Sequence, residues 1–513
     1  MADDDIGLYP AASFRLATGD TAGVAVPLQA RWYFAGEAIL VPNAPAAVSF
    51  VPGQSTFEDL EQWSRTRAPD APPDAPPLVW IGSAHAVRDA SMSQDGQRLH
   101  GGGVSMPLRA VAKIPLNRSY YDASSVAFLA SRPLSVRGTI EDSAFVMRTV
   151  WPEDFRFGPE PPPSCDLPAA PTRALALRAL MREAPRGGAQ SPYEAWTLWQ
   201  RDARMREWGG RPVLALVVNG AQGDDDEAHA GHFAIVTGRV RAGGGIGDWL
   251  VDNFYSLDIE SEKGILAAPA PLDNYLGDLN SGQSWYRPSY LLVLVLRDAR
   301  APSLVQSAIN RVYRQFYRHQ LAYYHPDVNC TSISVDTLRV LGWPVRARGP
   351  SATVLAWLAF PLMALRERSL AKAKVSFDYL VADQTRLLPA AAIEEIFADV
   401  LALAEGKTEG GTLAAWLVED LEAIAFLRIP QFPSSRAFGD APAVSTDEYR
   451  SRVPRDPARV QIVPVPPRPL PAALQDPDVT PPPRRPSDDA ALWWGAIAVV
   501  GAALLVRRLL RKR

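Results

Sequence analysis

The run AALWWGAIAVVGAALLV, from Ala490 to Val506, carries no charged residue, and no other feature of the chain narrows its possible folds as far. As a helix rising 1.5 Å per residue it would span roughly 26 Å, near the short limit for crossing a bilayer core. Leu509 and Leu510 lengthen the apolar part if Arg507 and Arg508 bend their stems toward the interface. Trp493 and Trp494 stand at one end, where indole rings favour the membrane–water boundary, and Arg507, Arg508, Arg511, Lys512 and Arg513 stand at the other. A buried core helix is the competing reading, but a Pro-rich stretch precedes the run and a basic tail follows it. The expectation is one transmembrane helix over residues 490–506, a basic tail over 507–513 and a single-pass membrane localisation. The side that holds the body stays open. Positive charge favours a cytoplasmic tail, whereas the opening MADDDIGLYP has neither the basic start nor the apolar run of a secretory signal.

Composition excludes more than it identifies. A formal net charge of -3 over 513 residues gives no electrostatic case for a nucleic-acid partner. The two cysteines, Cys165 and Cys330, are too few for a disulfide framework and form no Cys-x-x-Cys site. The 47 prolines cluster, and the clusters divide the chain. Gly158 to Pro171 and Val453 to Pro486 read as extended linkers, and Pro69 to Pro77 as a loop. The expected domains are a β-rich N-terminal domain over 1–157, a linker over 158–171, a mixed domain over 172–350, a helical region over 351–435 and a Pro-rich linker over 436–489.

Local patterns give the elements. ARWYFAGEAILVP and SSVAFLA in the N-terminal region read as short strands bounded by turn residues. Ala174 to Ala184 and Tyr193 to Glu207 read as helices. Pro212 to Asn219, His232 to Val240, Trp249 to Leu257 and Tyr290 to Leu296 read as strands, the last of them central because it is apolar throughout. Gly243 to Gly247 reads as a hairpin turn, since no helix follows to make it a phosphate cradle. Pro302 to Arg318 places Val305, Ile309, Val312 and Phe316 on one helical face. Asn329 caps a helix from Cys330 to Leu341, closed by Gly342 and Pro344. VLAWLAFPLMAL, Val354 to Leu365, reads as a buried helix broken at Pro361.

Several common catalytic motifs are absent: there is no Gly-x-Ser-x-Gly elbow, no His-Glu-x-x-His and no complete P-loop. What remains is Cys330 at the first turn of a helix, where unpaired amides and the helix dipole stabilise a thiolate. His232, opening a strand after Gly231, is placed to take the thiol proton if the helix packs on that strand. Asp252 and Asn253 are the candidates for orienting its imidazole. Strand alternation puts them on opposite faces, so one of them serves, and Asp252 is favoured. His319 and His325 are alternative bases near Cys330 in sequence. The cluster Asp224, Asp225, Asp226, Glu227, His229 and His232 lies within nine residues, and its acidic run reads as a solvated loop in preference to a metal site. No metal and no cofactor is expected.

The pieces GHFAIV, LVDNF, SYLLVLVL and NCTSISVDTL, over roughly residues 210–345, resemble the permuted branch of the papain-like NlpC/P60 superfamily. They are most similar to the membrane-associated domain of unknown function DUF4105, which is related to bacterial lipoprotein N-acyltransferases. The resemblance implies an α+β fold with a permuted papain-like domain and an antiparallel sheet. It also implies Cys330 as nucleophile, His232 as base and thiol chemistry on an amide, thioester or ester of an acyl, lipid or peptide substrate. The backbone N–H of Cys330 is then an expected oxyanion donor. The family's membrane spans and export signal are not visible in this sequence, and residues 1–157 and 351–489 have no counterpart in the match. Two function classes follow. One is a cysteine hydrolase or acyltransferase, which we favour; the other is a non-catalytic, membrane-tethered scaffold on a degenerate copy of the fold.

Overall fold

The computed structural model describes residues 5–433 and 469–475, except residues 22–25, 46–47, 115–120, 182–191, 221–230, 258–263, 286, 325–326, 350–352, 407–409 and scattered positions within 368–380. The chain is α+β. Its centre is a seven-stranded sheet in the order Glu194–Gln200, Leu421–Ile429, Ser289–Leu296, Pro212–Asn219, His232–Arg239, Leu250–Asp252, Pro269–Pro271, and every neighbouring pair is antiparallel.

Both faces of this sheet are covered, which explains why its central strands are apolar at every position. On one face Val213, Ala215, Val217, Leu291 and Val293 pack with Leu99, Leu134, Val136 and Phe145 of a closed five-stranded barrel. That barrel is built from His85–Met92, Arg98–Gly101, Val104–Ala110, Leu134–Glu141 and Ala144–Pro152. On the other face Leu214, Leu216, Leu292 and Leu294 pack with Val305 and Ile309 of the helix Arg300–Tyr317, Ile333 and Leu338 of Cys330–Val340, and Ile396 of Pro389–Ala404. The period-2 alternation of each strand sorts its side chains between barrel and helices. A smaller sheet of Phe14–Thr18, Ala38–Pro42 and Val79–Gly82 lies alongside.

Several local expectations are corrected. Tyr193 to Glu207 holds the strand Glu194–Gln200, because Leu421–Ile429 offers it a pairing edge. The latter strand lies inside the region expected to be helical and fills the slot between Glu194–Gln200 and Ser289–Leu296. SSVAFLA is a helix, Ala123–Ala130: Asp122 accepts hydrogen bonds from the amides of Ser124 and Ser125, and Ser125 bonds back to the Asp122 amide. The Pro-rich stretch after Gly158 is docked on the sheet edge, with Cys165 N donating to Thr197 O at 3.0 Å and Thr197 N to Pro163 O at 2.9 Å. The helix Thr353–Glu367 runs through Pro361 instead of breaking there. It is also not buried, since Trp357 is 63% and Leu365 77% exposed.

Among the described residues no helix is long and apolar enough to cross a membrane. The expected transmembrane helix and the single-pass membrane localisation drawn from it are therefore not supported. The run Ala490–Val506 and the basic tail lie outside the described residues, as does most of the Pro-rich segment 436–489.

Candidate active site

Three wholly or largely apolar strands end or begin with a polar residue at the same end of the sheet. Asn219 closes its strand and stands in register with His232 on one side and Ser289 on the other. All three are buried. Asn219 Nδ2 donates to Ser289 Oγ at 2.7 Å, and the Tyr275 hydroxyl donates to Asn219 Oδ1. Gly231 holds φ +74 just before His232, a left-handed turn that glycine adopts without strain. This row of polar groups closes an otherwise dry sheet, and each needs a partner because burial leaves it no water.

The structure places Asn253 beside the imidazole. His232 Nε2 and Asn253 Oδ1 are 2.9 Å apart. Asn253 Nδ2 donates to Leu266 O at 3.2 Å, which fixes the amide so that its oxygen faces the ring. An amide oxygen only accepts, so Nε2 carries a proton, and in the neutral ring Nδ1 is then the basic nitrogen. Tyr255 stacks on the imidazole with ring centres 4.4 Å apart, and Gln283 Nε2 donates to its hydroxyl at 2.7 Å. The Tyr313 hydroxyl donates to the backbone oxygen of Asn253 at 2.7 Å and pins that turn.

Asp252 does not take the orienting role favoured from sequence. Its register partner is Ile235, which faces the helices, so Asp252 does too. There its Oδ1 accepts from Gln306 Nε2 at 3.0 Å, while Oδ2 has no partner among the described residues. Burial pushes the Asp252 carboxyl well above the usual carboxylate range, and the Gln306 hydrogen bond opposes this only partly. His319, one alternative base, bonds through Nε2 to the Tyr33 hydroxyl at 2.9 Å. His325, the other, lies outside the described residues, as do Asp224, Asp225, Asp226, Glu227 and His229.

Cys330 is the first residue of its helix, as the capping pattern predicts. Asn329 Oδ1 accepts from Thr331 N at 2.9 Å and Ser332 N at 3.0 Å. Cys330 N donates to the Tyr323 hydroxyl at 3.3 Å, so the expected oxyanion donor already has an acceptor. Burial dominates and raises the Cys330 thiol above its ordinary value, opposed by the Phe233 backbone N–H, the hydroxyls of Thr331 and Tyr323, and the Thr331 amide. The Phe233 amide belongs to the peptide that joins it to His232, so the thiol lies against the backbone at the opening of the strand that His232 begins. Tyr255, Tyr275, Tyr323, Asn219 and Ser289 were not singled out from sequence. The signal for two of them was present: Asn219 and Ser289 are the polar ends of the apolar runs PVLALVVN and SYLLVLVL.

Cys330, the Asn253-bonded imidazole and a buried hydroxyl–amide network therefore lie toward one end of the sheet. No protein-family model, no curated protein and no solved structure matches the chain.

Proposed function

We propose that the chain is a cysteine-dependent hydrolase or acyltransferase of the permuted papain-like kind, with Cys330 as nucleophile, His232 as base and Asn253 as the residue that orients it. The observation that carries this reading is the His232–Asn253 hydrogen bond, with its amide orientation set by Leu266. It orients the ring and, in the neutral imidazole, puts the basic lone pair on Nδ1, the state a thiol needs to lose its proton. In the proposed reaction the thiol proton passes to His232 as Sγ bonds to the substrate carbonyl carbon. The bond to the leaving nitrogen, oxygen or sulfur then breaks, and that atom takes the proton from the imidazolium. Water or an amine releases the acyl group from sulfur.

A second reading, a non-catalytic scaffold, is favoured by the raised thiol and by the engaged Cys330 amide. One experiment separates the two. The full chain carrying Cys165→Ser is incubated with p-nitrophenyl butyrate, and the intact mass and the Cys330 peptide are followed. The enzyme reading expects a butyryl thioester on Cys330 that forms about 10²–10⁴ times more slowly in His232→Ala. No adduct on Cys330, or equal rates in the two proteins, leaves the scaffold.

A further inference from the structure

Arg287 is buried, with 7% of its surface exposed. Its Nε and Nη1 meet no acceptor among the described residues. Three other sequestered arginines each hold a carboxylate. Arg148 bridges Glu37 and Asp278 at 2.8 and 2.9 Å, Arg137 holds Asp273 at 2.9 Å, and Arg311 holds Asp59 at 2.6 Å. A guanidinium stays charged at any working pH, and removing it from water without an anion is strongly unfavourable. An arginine kept in that condition points to an anion that the described residues do not supply.

The position of Arg287 says where that anion belongs. Arg287 N donates to Gln283 O at 3.1 Å, Gln283 Nε2 donates to the Tyr255 hydroxyl at 2.7 Å, and Tyr255 stacks on His232. Tyr275, with its ring centre 6.1 Å from that of His232, lies within electrostatic reach of both Arg287 and Cys330. The same stretch leaves the buried Gln283 Oε1 and Ser284 Oγ without partners among the described residues. Unmatched donors and acceptors thus gather at one edge of the candidate active site.

We propose that Arg287 is a specificity-determining residue of this site and binds an anionic group, a carboxylate or a phosphate, carried by the substrate beside the carbonyl that Cys330 attacks. This rests on the thiol reading above. A substrate lacking the charge leaves the guanidinium dry and unpaired, which is how a buried polar group discriminates between otherwise similar acyl chains.

The test uses the full chain with Cys165→Ser and two p-nitrophenyl esters of matched length, the neutral butyrate and the anionic hemisuccinate. In each reaction Sγ bonds to the acyl carbon, p-nitrophenolate leaves and the thiol proton passes to His232. The expected ratio of Cys330 acylation rates, hemisuccinate over butyrate, is about tenfold or more, given the strength of charge-assisted hydrogen bonds. It falls toward unity in Arg287→Met and lies between in Arg287→Lys. Free succinate and inorganic phosphate are compared by their shift of the melting midpoint, and the larger shift identifies the anion. Neither shifts Arg287→Met, which melts no lower than the parent because it loses an unpaired buried charge. A ratio near unity in the parent, or a preference that survives in Arg287→Met, overturns the proposal while the thiol reading stands. Failure of both esters to acylate Cys330 overturns the thiol reading, and the specificity role of Arg287 with it.

Discussion

Asp252 and Asn253 are adjacent residues with opposite tasks. Asn253 faces the imidazole and is satisfied on both its oxygen and its nitrogen. Asp252 points into the helical core, where among the described residues only Gln306 donates to it. A buried carboxyl whose folded pKa lies above its unfolded value binds its proton more tightly when folded. The stability linked to it is fully present below the unfolded pKa, about 3.9, and is lost as pH rises toward the folded value. Within that window each pH unit costs about 1.4 kcal/mol. Asp252→Asn keeps an acceptor for Gln306 and removes the titration. The expected result is a flatter stability–pH curve above pH 4 and a more stable protein at neutral pH, measured by urea unfolding at several pH values. A variant curve parallel to that of the parent would contradict this. The choice between the two residues was not legible from alternation alone. It needs the register, Ile235 opposite Asp252, and register is set by a partner strand that the local sequence does not name.

At the scale of elements, uniform apolarity was a reliable guide and composition was not. Pro212–Asn219, His232–Arg239 and Ser289–Leu296 were legible because both their faces are covered, and the Cys330 helix because Asn329 caps it. LEAIAFLRI and EAWTLWQ were missed since both are rich in helix formers, and tertiary pairing overrides such preferences. The helix Thr353–Glu367 is the reverse case, an apolar segment whose Trp357, Leu358, Leu362 and Leu365 remain exposed. Replacing an exposed side chain away from caps and ion pairs changes stability by about 0.5 kcal/mol or less. Leu358→Lys with Leu365→Lys is therefore expected to leave the melting midpoint nearly unchanged and to raise the monomer fraction in sedimentation. A large fall in the midpoint would show that something in the chain covers this face.

For the whole molecule, the sheet is the shared floor of two cores, one against the barrel and one against the helices. Its second strand comes from residues 421–429, far along the chain from its neighbours at 194–200 and 289–296. A chain ending at residue 410 is expected to be insoluble or to lack cooperative unfolding, whereas one ending at Pro433 should unfold as the full chain does, followed by circular dichroism. Soluble, cooperative behaviour of the shorter chain would mean that the two cores do not depend on this strand.

Translation order gives that strand a second consequence. Once Ser289–Leu296 has left the ribosome it presents a fully apolar strand with one edge unpaired until residue 429 follows, about 130 residues later. At roughly 5–20 residues per second the interval lasts about 7–27 s. For that time the nascent chain displays the kind of edge that recruits other strands. Its yield in a cell should therefore respond to chaperone supply and to translation speed between codons 297 and 429 more than its finished stability would suggest.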